Sequence, residues 1–92
     1  MLSRAHILVS GFVQGVCFRD FTSSHATAMK LTGWVRNLSD GRVEAIVEGP
    51  RNDIEAFLGL IERGPRAARV ENVEVSWKDY TDSFKDFRIL WQ

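Results

Sequence analysis

Gly11-Phe12-Val13-Gln14-Gly15-Val16-Cys17-Phe18-Arg19 stands between a run that alternates apolar and polar residues and a run with apolar residues every three or four positions. The first pattern reads as a strand and the second as a helix, so the nonapeptide is a strand-to-helix connection. Its two glycines let the backbone turn tightly and admit a ligand without a Cβ in the way. Helix starts carry unpaired N–H groups and the positive end of the dipole, which favour an anion. Arg19 falls in the first helical turn, where its planar fork can meet two phosphate oxygens. The loop is not a Walker loop, because no Gly-Lys-Ser/Thr follows, and its glycines do not fall as G-x-G-x-x-G. Short glycine-bearing connections are also common without any ligand, so a second feature is needed to assign a site.

Outward from this loop the elements follow in order. Arg4 to Ser10 form the first strand, with Ala5, Ile7 and Val9 on one face. Phe18, Phe21, His25, Ala28 and Met29 mark the first helix, which exits through Lys30 to Thr32 before Gly33. Trp34 to Leu38 form the second strand. Ser39-Asp40-Gly41-Arg42 reads as a tight hairpin, and Val43, Ala45 and Val47 give the third strand one apolar face. Gly49-Pro50 is expected to end the sheet, with Asn52 and Glu55 forming a capping box for a second helix carried by Ile54, Phe57, Leu58 and Ile61. Gly64-Pro65 stops that helix. Val73, Val75 and Trp77 make a fourth strand, and Phe87, Ile89 and Trp91 a short last one.

This order predicts an α+β, ferredoxin-like β-α-β-β-α-β sandwich: two helices on one face of a mostly antiparallel sheet, with a short additional C-terminal strand. The right-handed crossover through the first helix makes strands one and two parallel, with strand three between them. Both then finish at the edge where the first helix begins. Asn37, near the end of strand two, should therefore lie across from Arg19, roughly 10 Å away at normal strand spacing. Asn37 shares a strand face with Val35, so an amide is directed toward the helices, where it needs partners. A water and a ligand oxygen would serve. Tying down the hairpin is the structural alternative.

Ninety-two residues, 45% of them hydrophobic, suffice for one core, so residues 1–92 read as a single domain. Twelve basic and twelve acidic residues cancel, which gives no field for nucleic acid or an anionic membrane. There is no apolar run long enough to span a bilayer and no signal core. Cys17 is the lone cysteine, and a soluble cytoplasmic protein without disulfides is expected.

The residues Gly11-x-Val13-Gln14-Gly15-Val16-x-Phe18-Arg19, Gly33-Trp34-Val35-Arg36-Asn37-x-x-x-Gly41-x-Val43 and Gly49 closely resemble the acylphosphatases, and the Gly64-Pro65-Arg66 region resembles their bacterial members. The resemblance spans the chain, with one departure at Phe12, where the family often carries Arg or Lys. It implies hydrolysis of the carboxyl–phosphate bond of an acyl phosphate to a carboxylate and inorganic phosphate. By the same resemblance, amides over Gln14, Gly15, Val16, Cys17, Phe18 and Arg19 hold the phosphate, Arg19 binds the phosphoryl group, and Asn37 orients the attacking water. The expected partners are a small-molecule acyl phosphate and its phosphate product, with no nucleic acid, no membrane and a monomeric chain.

The remaining residues fit that chemistry. No His, Asp and Glu grouping has metal-ligand spacing, so neither a metal nor any other cofactor is expected. His6 and His25 read as structural, and Cys17 as a small filler late in the loop rather than a nucleophile. Trp34, Trp77, Phe87 and Trp91 read as core or edge-packing aromatics. Arg63, Arg66 and Arg69 read as a solvated surface cluster. An RNA-recognition module of the same architecture would carry stacking aromatics on strand three, where this chain has Glu44 and Glu48. An acylphosphatase-like unit inside a larger carbamoyl-transfer protein is the other alternative, and the chain's own length favours the stand-alone form.

Overall fold

In a computed structural model that describes residues 1–91, the alternation around Ala5, Ile7 and Val9 forms β1 (Leu2–Phe12), longer at both ends than its apolar core. The other elements are α1 (Phe18–Ala28), β2 (Thr32–Asn37), β3 (Val43–Pro50), α2 (Arg51–Arg63), β4 (Arg69–Lys78) and β5 (Phe87–Leu90). The sheet order is β4-β1-β3-β2-β5. β3 lies between β1 and β2 and is antiparallel to both, as the crossover requires. β5 adds to the free edge of β2 in parallel. This is the ferredoxin-like α+β sandwich expected from the element order.

Ala5, Ile7 and Val9 of β1, Val35 of β2, and Val43, Ala45 and Val47 of β3 face the helices and are all buried. Against them α2 places Ile54, Phe57 and Ile61, with Phe57 meeting Phe87 edge-on at 6.5 Å between centroids. α1 presents Phe18, Thr22 and Ala26 as its buried stripe, rotated from the expected Phe18, Phe21, His25 and Ala28 face. Phe21 and Met29 pack at the margin, and Ala28 is exposed. The Thr22 hydroxyl is carried into the core without a hydrogen-bond partner.

Three local expectations are corrected. Gly49-Pro50 does not end the sheet, because both still pair with Ser3 and Leu2 of β1. The chain enters α2 directly from β3, with Pro50 at the N-cap and no side-chain cap; Asn52 is already inside the first turn and exposed. The Arg51 amide donates instead to the Met1 carbonyl at 2.8 Å. The hairpin at residues 39–42 forms as expected, as a three-residue loop with positive φ at Gly41 (98°) and the Gly41 N–H donating to Leu38 O. Asp40 accepts from the Arg42 amide at 3.1 Å and from its Nε at 2.9 Å, which closes the turn. The last strand stops at Leu90, so Trp91 lies beyond it.

The outer face of the sheet is partly covered by residues 79–86. Glu48 is buried there and accepts from Arg4 Nη1 (3.1 Å), Thr81 N (2.9 Å), Thr81 Oγ1 (2.7 Å) and Asp82 N (3.0 Å). Glu44 on the same face bridges His6 (2.7 Å) and Arg36 (2.7 Å). Paired charges rather than stacking rings occupy this face of β3.

Candidate active site

A β-bulge ends the regular pairing of β1: the register with β4 shifts between Ser10 and Gly11. Gly11 has φ of 128°, and a Cβ there would fall 2.1 Å from the Arg69 carbonyl oxygen, so only glycine fits. The bulge swings the chain off the sheet into residues 13–17. In that loop φ is 75° at Gly15 and 62° at Cys17, and it is negative at Val16 between them. Alternation of this kind turns successive N–H groups toward one concave side, the backbone form that binds anions. Among the described residues, no amide from Gln14 to Phe18 donates to a backbone carbonyl. Cys17 holds its left-handed conformation at the N-cap of α1 without glycine's freedom, a local strain of the sort that collects at functional sites.

The loop and the first turn of α1 open on a cleft of about 230 Å³. Val13, Gly15 and Cys17 line it from the loop, and Phe18, Arg19 and Asp20 from the helix. Asn37 closes it from the end of β2, and Trp91 from beyond β5. Arg19 and Asn37 thus share one cavity across the sheet edge, as the topology requires. Gln14 and Val16 belong to the same loop without lining the cleft; Val16 packs against the core. Exposed Cys17 lies at the rim. His6 pairs with Glu44 on the opposite face of the sheet, and His25 stacks edge-on against Phe21 at 4.5 Å, so neither histidine reaches the cleft.

Asn37 pairs in register with Val43, and its Oδ1 is buried without a hydrogen-bond partner in the protein. The hairpin is tied down by a different residue. Gln14 Nε2 donates to Leu38 O at 2.8 Å and to Arg42 O at 2.9 Å, which clamps the loop to the β2–β3 turn. That clamp was not legible in the sequence, where Gln14 registers only as part of the loop. Trp91 was also missed: it is not an edge-packing aromatic but stays 69% exposed, with its ring centroid 4.3 Å from Arg19 Cζ. A planar guanidinium against an indole face is a cation–π pair, worth about 0.5–1 kcal/mol at an exposed site. Among the described residues no three His, Cys, Asp or Glu side chains gather as a metal-binding group.

Known proteins resemble this chain along nearly its whole length. A sequence profile of the acylphosphatase family matches residues 5–89. An acylphosphatase of Pelotomaculum thermopropionicum is 49% identical over 89 residues, covering 97% of each chain. The acylphosphatase of Bacillus subtilis superposes with a TM-score of 0.93 at 38% identity, over 98% of this chain and 99% of its own. The fold also recurs inside a longer protein: full-length HypF matches 98% of this chain with a TM-score of 0.89 and 34% identity, over 12% of its own length. With a profile match along nearly its whole length and a relative almost half identical from end to end, this chain belongs to the acylphosphatase family.

Proposed function

We propose that this chain acts as a single-domain, monomeric, metal-independent acylphosphatase, with its phosphoryl site in the cleft between α1 and the end of β2. The observation that carries the reading is the meeting of Arg19 and Asn37 in one cavity floored by the alternating-φ loop. Amides over Gln14 to Arg19 hold the phosphoryl oxygens, and the Arg19 guanidinium neutralises their charge with its fork of donors. The Asn37 side-chain amide holds a water in line with the bond to be cleaved. The water oxygen bonds to phosphorus while the bond from phosphorus to the acyl oxygen breaks. The electron pair leaves with the carboxylate, and a water proton passes to a phosphate oxygen. A carboxylate leaves without protonation, so the reaction calls for positioning and charge neutralisation rather than a general acid.

Hydrolysis of benzoyl phosphate in the presence of EDTA tests the proposal directly. Full turnover with EDTA, with inorganic phosphate as a competitive inhibitor, is the expected result. A requirement for added divalent metal, or no turnover at all, would overturn it.

A further inference from the structure

Trp91 has no part in the chemistry above, yet it lies against the one cation that does. Its ring covers Arg19 at 4.3 Å while 69% of the residue stays in solvent, and it lines the same cleft as Asn37. Every other tryptophan is at least half covered by the protein: Trp34 and Trp77 are both partly buried along their strands. A large aromatic left open inside a cleft offers apolar surface to a ligand. The other cleft residues divide by chemistry. Arg19, Asn37 and the loop form a polar end; Val13 and Phe18 back the cleft from the buried core, so its open apolar surface is that of Trp91, and Asp20, next to Arg19 in the chain, adds a carboxylate to the lining.

We propose that Trp91 is a specificity residue that recognises the acyl group, so that the cleft selects flat, uncharged acyl phosphates over small or anionic ones. This rests on the phosphoryl assignment above. One ring face packs on the guanidinium, which leaves the edge donors of Arg19 free for phosphoryl oxygens. The acyl carbon is joined to phosphorus through a single oxygen, so a group anchored at Arg19 carries its acyl substituent past the indole. A planar aryl or unsaturated acyl group stacks there and covers the open indole surface. A methyl group covers little of it, and an acyl chain with its own negative charge meets Asp20.

Binding of two stable analogues tests this independently of turnover. Phenacylphosphonate and acetonylphosphonate carry a methylene in place of the bridging oxygen and differ only in the aryl group. Calorimetry on the wild-type chain should show phenacylphosphonate binding about tenfold tighter. Trp91→Ala should remove most of that ratio, with inorganic phosphate affinity kept within about threefold, and Trp91→Phe should keep most of it. Equal binding of the two phosphonates by the wild type would overturn the proposal, as would a ratio unchanged in Trp91→Ala. An equal loss for both phosphonates and for phosphate would also overturn it, because Trp91 would then act only by positioning Arg19. Failure of the catalytic assignment shows separately, as absent benzoyl phosphate hydrolysis in a chain that still discriminates the phosphonates.

Discussion

Replacing Asn37 by alanine separates its two possible roles, because a catalytic and a structural residue respond in opposite directions. The side-chain oxygen is buried without a protein partner, and such a group destabilises the fold by about 1–3 kcal/mol. Alanine removes that penalty. Against it stand the packing of a half-buried side chain and the poor strand preference of alanine, together about 1 kcal/mol. The net expectation runs from no change to about 2 kcal/mol of added stability. For a chain of this size each kcal/mol moves the melting temperature by about 4–8 °C. Turnover should move the other way. Losing the group that aims the water should lower kcat by about 10² or more, or about 2.7 kcal/mol of barrier. Inorganic phosphate should still inhibit, since the loop and Arg19 are untouched. Thermal melts by circular dichroism, benzoyl phosphate turnover and phosphate inhibition on one preparation read all three quantities. A variant that lost about 2 kcal/mol of stability, or that kept most of its activity, would refute the water-positioning role.

Four further outcomes are expected. Arg19→Ala should lower kcat/KM by about 10³ and weaken phosphate inhibition; Arg19→Lys should restore little, because an ammonium has neither the fork nor the flat face that Trp91 covers. Gln14→Ala breaks the two bonds to the hairpin and should destabilise by about 1–3 kcal/mol. Its kcat should fall further than its substrate affinity, because Arg19 and Asn37 lose their common mount; steady-state kinetics beside urea melts would show the split. Thr22→Val removes a buried, unpartnered hydroxyl at constant shape and should raise stability by about 1 kcal/mol; a loss in urea melts would mean that the hydroxyl is bonded in solution.

The fourth concerns acid. Burial pushes the Glu48 carboxyl up, but bonds from Thr81 and Arg4 outweigh it and hold the pKa below the ordinary glutamate value. A folded-state pKa below the unfolded one contributes stability above the unfolded value and loses it as pH falls through the folded one. Stability should therefore be level near neutral pH and fall below about pH 4. Glu48→Gln should be less stable at neutral pH and show a shallower acid limb in melts across that range.

The alternation of Ala5, Ile7 and Val9, the glycines of the loop and the helical spacing of Ile54, Phe57 and Ile61 determine the elements from sequence alone, since each depends on neighbours within a few positions. The handedness of the crossover then brings Arg19 and Asn37 to one edge without any coordinates. The side chains that complete the site were not legible in the same way. Gln14 reaches the carbonyls of Leu38 and Arg42, 24 and 28 residues away, and nothing in its own surroundings signals that reach. Asn52 follows a cap pattern, yet the pairing of Pro50 with Leu2 carries the strand directly into the helix and leaves the cap unused. The four residues of β5 carry too little pattern to name a partner. Their parallel pairing with β2 fills one of the two edges that the other four strands leave open, and the chain leaving that strand sets Trp91 against Arg19. Local periodicity encodes where the chain bends and which face is apolar; which distant groups meet depends on the edges and faces left open once the sheet has formed.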